Sequence, residues 1–360
     1  MVLQKVCTVK AGNKIHRINL PRVVVVGEGT LTQIGEICKE FGFRSALLVS
    51  GTTTWKVAGE KVNDLLVEAG VRVETVRVSS ATREAVETVK TQVKATPVDV
   101  LLGIGGGRNI DVAKVASLET NRFFISIPTV ASHDGIASNL ASIKSMGKPY
   151  SVPAASPVAV VMDSKIIQES PYRFTAAGCG DVICKAVEVR DWRLAHSVTN
   201  EYYGGYAGSL SLMSSQHVMD NAHIIRERSQ EGVRILLEAL VSCGVAMSIA
   251  GSSRPTSGSS HLFSHALDQL AEKPALHGEQ CGVGSIMMAK LHNMDWERIR
   301  DSLKTLGAPT TAKELGIPPE TVVEALCRAR HIRPTRYTIL NQVEMNKEKA
   351  RELAESTGVI

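Results

Sequence analysis

The chain has 360 residues, a formal net charge of +5, 44% hydrophobic residues and 21% charged ones. A chain this long exceeds one small core and sets about two domains as the expectation. Its composition excludes disordered and fibrous classes, and a positive charge this small and dispersed suits an anionic small molecule and argues against a nucleic-acid partner.

The seven cysteines, Cys7, Cys38, Cys179, Cys184, Cys243, Cys281 and Cys327, form no C-x-x-C pair and read as reduced thiols of a cytoplasmic protein. The N-terminal MVLQKVCTVK lacks the apolar core of a signal peptide. No apolar run reaches the ~18 residues of a membrane span without charges; the stretch 233–250 carries Arg234 and Glu238 and reads as a buried helix.

Taken in order, residues 22–26 (RVVVV) form a β-branched strand closing at Gly27-Glu28-Gly29, after which Leu31, Ile34 and Ile37 fall at helical spacing. Strands follow at 46–49, 71–78, 99–104, 123–128 and 158–162, with helices over 57–69 and around Val86, Val89 and Val93. Strands alternating with helices of this length predict βαβ units and an α/β N-terminal domain with a mainly parallel, Rossmann-like sheet. Ligands of such sheets sit at the carboxyl ends of strands, where the strand order reverses.

One of these strand ends stands out. Val100, Leu101, Leu102 and Ile104 run into Gly105-Gly106-Gly107, then Arg108, Asn109 and Ile110, and Asp111-Val-Ala-Lys opens a helical pattern. Strand, glycine turn and helix start together let backbone N–H groups and a positive helix end face a phosphate. The plain alternative is a tight βα turn, since the adjacent glycines depart from G-x-G-x-x-G spacing. The strand at 123–128 is followed by Thr129-Val130-Ala131-Ser132-His133-Asp134 and then Ser138. Thr129 and Ser132 are placed to bond a cofactor and Asp134 a substrate hydroxyl, although an Asp before Gly is also ordinary turn chemistry.

After Ser170-Pro171 long helical patterns take over, punctuated by Gly204-Gly205, Gly251-Ser252-Ser253 and Gly307-Ala308-Pro309. The predicted division is an α/β domain over 1–170 and an all-helical domain over 171–360. Within the latter, 310–328 has the outline of a helix-turn-helix, but no dense basic face follows, so it reads as two packed helices. The stretch 345–355 reads as a charged amphipathic surface helix.

The helical domain holds the strongest chemistry. His261 and His265 lie one helical turn apart, His277 follows in Leu-His-Gly-Glu, and Asp181 stands in Gly-Cys-Gly-Asp. Imidazoles from neighbouring elements joined by a carboxylate are what a Zn²⁺ site with one open position requires. By spacing alone His261 and His265 would both be ligands; the bland alternatives are satisfied core histidines and Asp181 as a helix N-cap. Arg254, a short loop before His261, is placed for a substrate phosphate.

The ordered set GGG-R-N-x-D-x-A-K, PT-x-x-S-x-D-x-x-x-S, G-x-G-D, S-S-R-P-x-S-G-S-x-H-x-x-S-H and L-H-G-E-Q closely resembles the archaeal-type sn-glycerol-1-phosphate dehydrogenase family. That family is grouped with glycerol dehydrogenases, iron-type alcohol dehydrogenases and dehydroquinate synthases. The resemblance spans roughly 22–307. It implies that Gly107 to Asp111, with Gly105 and Gly106, hold the pyrophosphate of NADPH or NADH, and that Thr129, Val130, Ala131, Ser132 and Ser138 touch the nucleotide. It implies one Zn²⁺ on Asp181, His261 and His277, with Asp134 and His265 facing the substrate beside Asp181 and Arg254. His265 thereby moves from ligand to substrate residue, and the active site is expected in an inter-domain cleft.

The implied reaction is reversible reduction of dihydroxyacetone phosphate to sn-glycerol 1-phosphate, the glycerophosphate backbone of ether phospholipids. The second strand ends Val49-Ser50-Gly51-Thr52 without an acid to repel a 2′-phosphate, so use of both NADPH and NADH is expected. The enzyme is expected to be a cytoplasmic homo-oligomer without an integral membrane segment. The rival readings are a zinc-dependent glycerol or alcohol dehydrogenase and, further off, a dehydroquinate-synthase-like lyase.

Overall fold

A computed structural model describes residues 18–145 and 148–360; Cys7 and the N-terminal stretch read for a signal peptide lie outside the described residues. The chain divides into two compact units between Pro171 and Tyr172.

The first unit is built on a six-stranded sheet. Its strands are β1 (Val23–Gly27), β2 (Ser45–Ser50), β3 (Arg72–Arg77), β4 (Val100–Gly105), β5 (Phe123–Pro128) and β8 (Ala159–Asp163). Every neighbouring pair is parallel, in the order β1-β8-β5-β4-β2-β3. The expected α/β class with a parallel sheet is therefore what the chain adopts. The central strands β2 and β4 are buried throughout, which is why they read as unbroken apolar runs, whereas β3 at the edge alternates. Ala46, Leu48, Leu102, Ile104, Ile125 and Val161 pack with Ile34, Ile37, Val62 and Leu66 into one core layer.

Asp99 ties the start of β4 to the start of β2. Its carboxylate accepts from the Arg44 and Ser45 N–H groups and the Ser45 hydroxyl, each at 2.9 Å. The order reverses at β2 and β4, because β3 lies on one side of β2 and β4 on the other. The carboxyl ends of these two strands, Ser50 and Gly105, thus form the switch point at which such sheets bind ligands.

Two departures from the expected elements concern the site. The helix after β4 spans Gly107–Thr120, starting four residues before Asp111, because glycine gives no apolar periodicity to mark the first turn. An antiparallel hairpin, β6 (Leu140–Ser145) with β7 (Lys148–Pro153), follows the loop after β5. Pro149 and Pro153 remove the pattern by which a strand is recognised.

Strands are confined to the first unit among the described residues, and the second unit is helical. Its long apolar helix, Gln230–Ala250, is capped by Ser229. This helix has the length and hydropathy of a membrane span, but 72% of its most apolar window is buried inside the protein, as expected for a core helix. The helix-turn-helix outline dissolves: Ala312–Leu315 is a single turn ended by left-handed Gly316 before Pro319–Ile332. The C-terminal helix Lys347–Ser356 buries Ala350, Leu353 and Ala354.

Candidate active site

In the first unit the candidate nucleotide residues gather at the switch point. Gly105 has φ 141°, and a side chain there would run into the Asn109 amide and Thr54. Asn109 locks the turn, donating to Thr54 Oγ1 and to the Ile104 carbonyl, each at 2.9 Å. Gly106 caps the helix, its carbonyl accepting from Asn109 N at 3.1 Å and Ile110 N at 3.3 Å. The N–H groups of Gly107 and Arg108 therefore belong to the first turn, where no helical carbonyl can receive them, and they are donors of the kind that bind phosphate. Arg108 is exposed and reaches the Ser79 carbonyl at 3.0 Å, linking the turn to the segment beyond β3.

The remaining residues of this motif turn inward. Ile110 and Asp111 are buried. Asp111 accepts from Ser142 N at 2.9 Å and lies 3.2 Å from Lys114 Nζ. Thr129 N donates to the Gly105 carbonyl at 3.1 Å, so the loop after β5 lies against the glycine turn, with Val130 against Gly106. Ala131 is buried and Ser132 half-buried. Asp134 opens a 3-10 turn over Asp134–Ile136.

Lys114, completely buried, donates to the Gly135 carbonyl at 2.7 Å, to Ser138 Oγ at 3.4 Å and to the Leu140 carbonyl. Burial pushes its ammonium down while the Asp111 carboxylate opposes that shift. Lys114 stands in the sequence motif, yet nothing local showed that it fastens the whole loop 134–140.

In the second unit Asp181, His261 and His277 converge, with candidate ligand atoms all within 4.8 Å of one another. Close helix packing makes this possible. Helix Tyr172–Ile183 lies against helix His277–Leu291 through Gly180 and Gly278. A Cβ on Gly180 would meet the Gly278 carbonyl, and one on Gly278 the Ala177 carbonyl. The glycines of G-C-G-D and L-H-G-E are thus what bring Asp181 and His277 together. Asp181 is the tenth residue of its twelve-residue helix, so the N-cap alternative fails. Asp181 Oδ1 and His261 Nε2 are 3.8 Å apart.

Surrounding groups orient these donors. Glu188 Oε1 is 2.8 Å from His261 Nδ1 and also accepts from the Ser260 hydroxyl. With Nδ1 as the donor, the His261 Nε2 lone pair faces Asp181. Ser264 Oγ lies 3.1 Å from His277 Nδ1, and Lys185 Nζ holds Asp181 Oδ1 at 2.7 Å. Burial pushes the His277 imidazole down to about 4 and drives His261 well below its ordinary value. Both rings are therefore neutral near pH 7, the form that binds a metal. The thiols of Cys184 and Cys281 also lie beside His261, but burial pushes both up and keeps them protonated. Two neutral imidazoles and one carboxylate in a buried recess fit a divalent cation.

His265 stacks on His277 with centroids 5.8 Å apart and has Asp268 Oδ2 3.5 Å from its Nδ1. It neighbours the cluster without belonging to the convergent trio. Arg254 is buried and engaged on three sides: Nε and Nη2 meet the Glu201 carboxylate, and Nη1 donates to the Tyr337 carbonyl at 2.9 Å.

Sequence reasoning missed Lys185, Glu188 and Ser264. The first two had a signal, since Asp181, Lys185 and Glu188 recur at i, i+4 and i+7 in an otherwise apolar run. That is one polar stripe on a buried helix face.

Comparison with known proteins agrees in fold and family. The family model described as iron-containing alcohol dehydrogenase matches residues 25–171. A glycerol-1-phosphate dehydrogenase [NAD(P)+] of Methanosarcina acetivorans is 51% identical over 349 residues, covering 97% of this chain and 98% of its own. The enzyme of the same name from Thermococcus kodakarensis is 52% identical, covering 96% and 99%. Among solved structures, glycerol dehydrogenase from Schizosaccharomyces pombe superposes with a TM-score of 0.77 at 21% identity, covering 97% of this chain and 94% of that one. Sulfoacetaldehyde reductase from Bifidobacterium kashiwanohense, solved with NAD+, gives a TM-score of 0.75 at 18% identity, covering 96% and 99%.

Proposed function

The chain belongs to the glycerol-1-phosphate dehydrogenase family, and on that premise we propose that it reduces dihydroxyacetone phosphate to sn-glycerol 1-phosphate with NADPH or NADH at a zinc centre. The observation that carries the metal centre is the convergence of Asp181, His261 and His277 in a buried recess, with both imidazoles held neutral. These three residues would hold the ion.

When bound, the divalent cation supplies Lewis-acid polarisation of the substrate carbonyl and the nicotinamide supplies the hydride. The chain's own work is binding, orientation and proton movement. In the first unit the Gly105–Gly107 turn and the first-turn N–H groups of Gly107 and Arg108 cradle the pyrophosphate. Asn109, Ile110 and Asp111 hold that turn in place from behind, and Thr129 to Ser132 with Ser138 border the nucleotide. Lys114 keeps the 134–140 loop, and with it Asp134, in position. In the second unit His265, beside Asp268, is assigned to the substrate and to returning a proton to the product oxygen. Arg254, its guanidinium shared between Glu201 and the Tyr337 carbonyl, acts on the substrate phosphate only by holding the neighbouring segment in place.

Two neutral imidazoles with a carboxylate also suit ferrous iron, the metal in the description of the matched family. One assay addresses both points. Loss of absorbance at the nicotinamide band is expected on mixing enzyme, NADPH and dihydroxyacetone phosphate, and a chelator is expected to abolish it. Adding back zinc is expected to restore it, and restoration by anaerobic ferrous iron alone would replace zinc with iron. Absence of chelator-sensitive NADPH oxidation would sink the reading, and preference for unphosphorylated glycerol would move it to the glycerol dehydrogenases. Self-association in the cytoplasm belongs to the same proposal, and light scattering of the purified enzyme reports the oligomer.

A further inference from the structure

Beyond the metal cluster, the second unit gathers three guanidinium groups around the loop that leads into His261. Arg254 is neutralised by the Glu201 carboxylate. Arg336 is half-buried, and its guanidinium donates to uncharged acceptors, the Ser257 carbonyl and the Ser253 hydroxyl at 2.9 Å. Arg333 is half-buried, and no hydrogen bond or ion pair engages its guanidinium among the described residues. Loss of water and the neighbouring charges of Arg333 and Arg254 push Arg336 down to about 9, with Glu188 and Glu201 opposing. Glu201 is already committed to Arg254. Glu188 is held by Ser260 and His261.

Neither the Arg336 nor the Arg333 guanidinium has a carboxylate partner among the described residues, and such charge is retained where an anion completes it. This corner is also rigid. Asp191 accepts from Ser259 N at 2.6 Å, Ile339 N at 2.7 Å and His292 Nε2 at 2.9 Å. One buried carboxylate thus pins the start of the His261 helix to the segment that carries Arg336. Ser257, which receives Arg336, lies four residues before His261, in the loop that enters its helix, so the Arg336 guanidinium stands by the segment that carries this candidate metal donor.

We propose that Arg336, with Arg333 next to it, forms the dianion-recognising corner by which this enzyme selects a phosphorylated triose over its unphosphorylated analogue. This rests on the reaction proposed above and adds the residues that decide its substrate class. A guanidinium suits the task because its planar fork matches phosphate oxygens and stays charged when buried. Arg254, the arginine conspicuous in the sequence, then serves as a brace: it holds the Tyr337 carbonyl and leaves its neighbour Arg336 to the ligand.

The test compares kcat/KM for dihydroxyacetone phosphate with that for dihydroxyacetone in wild type, R336Q, R333Q and R336K, with metal content measured in each. The expected result is a fall in the ratio of the two values on the order of 100-fold for R336Q and about tenfold for R333Q. R336K is expected to recover about a tenth of the wild-type ratio, because charge returns without the fork. Inorganic phosphate is expected to compete with dihydroxyacetone phosphate in the wild type and to lose potency in R333Q. A ratio within threefold of wild type in the glutamine variants would overturn the proposal, since a merely structural role lowers both substrates together. Where R336Q yields no folded enzyme, R333Q decides by the same ratio and by the phosphate inhibition constant. Failure of the wild type to reduce dihydroxyacetone phosphate would overturn the reaction itself, whereas an unmoved ratio overturns only the arginine assignment.

Discussion

Glu188 is fully buried and touches the site only through His261 and Ser260. Its role is to fix which imidazole nitrogen carries the proton and which faces Asp181. Glu188→Gln preserves size and puts an amide where the carboxyl meets His261 and Ser260. Metal affinity is expected to fall about 10–100-fold, read by competition with a chromophoric chelator while far-ultraviolet circular dichroism stays unchanged. Metal affinity equal to that of the wild type would show that Glu188 does not position His261. At this scale the sequence was legible wherever chemistry and local pattern coincide. Asp181, His261 and His277 are recognisable as donors by residue type, but the choice of His277 over His265 was not readable from spacing. Adjacent turns of one helix favour the His261–His265 pair, and it is helix packing that brings His277 within 4.9 Å of His261, centroid to centroid.

Among the elements, β2 and β4 matter most because the candidate nucleotide turn stands at their carboxyl ends. Asp99 fastens their amino ends. Burial alone would push its carboxyl up, but hydrogen bonds from Arg44 and Ser45 outweigh this and hold it below its ordinary value. A depressed carboxylate adds stability that is fully present above its unfolded-state pKa of about 3.9 and is lost as pH falls through the lower folded value. Asp99→Ala is therefore expected to destabilise the protein by about 1–3 kcal/mol at neutral pH. The wild-type and variant denaturation midpoints should converge below about pH 3.9. A gap that persists unchanged into that acid range would contradict the account. The same strands show why the glycine turn was found and its helix start misplaced. Apolar runs announce buried strands, but Gly107 and Arg108 carry no periodicity by which to see that the helix has begun.

For the molecule as a whole, the nucleotide candidates lie in the first compact unit and the candidate metal donors in the second. Chelation should therefore abolish turnover yet leave NADPH affinity, followed by nicotinamide fluorescence, within about threefold, since no residue of the glycine turn is a metal donor. Metal binding to the native state alone should raise the melting temperature of the enzyme by mass action. A large loss of NADPH binding on chelation would show that the two sites are energetically coupled.

By itself the sequence determined the α/β class, the alternation that makes a parallel sheet and the residue types of the candidate metal site, because each rests on local periodicity or on side-chain chemistry. Only the tertiary structure decided the rest. The strand order puts Ser50 and Gly105 at the switch point, and Gly180 against Gly278 lets two helices approach until Asp181 and His277 share one recess. The pairing of Arg254 with Glu201 and the arrival of Arg336 beside Ser257 join residues 53 and 79 positions apart. Such long-range partners are selected by packing and charge balance in the folded chain, and no local pattern records them.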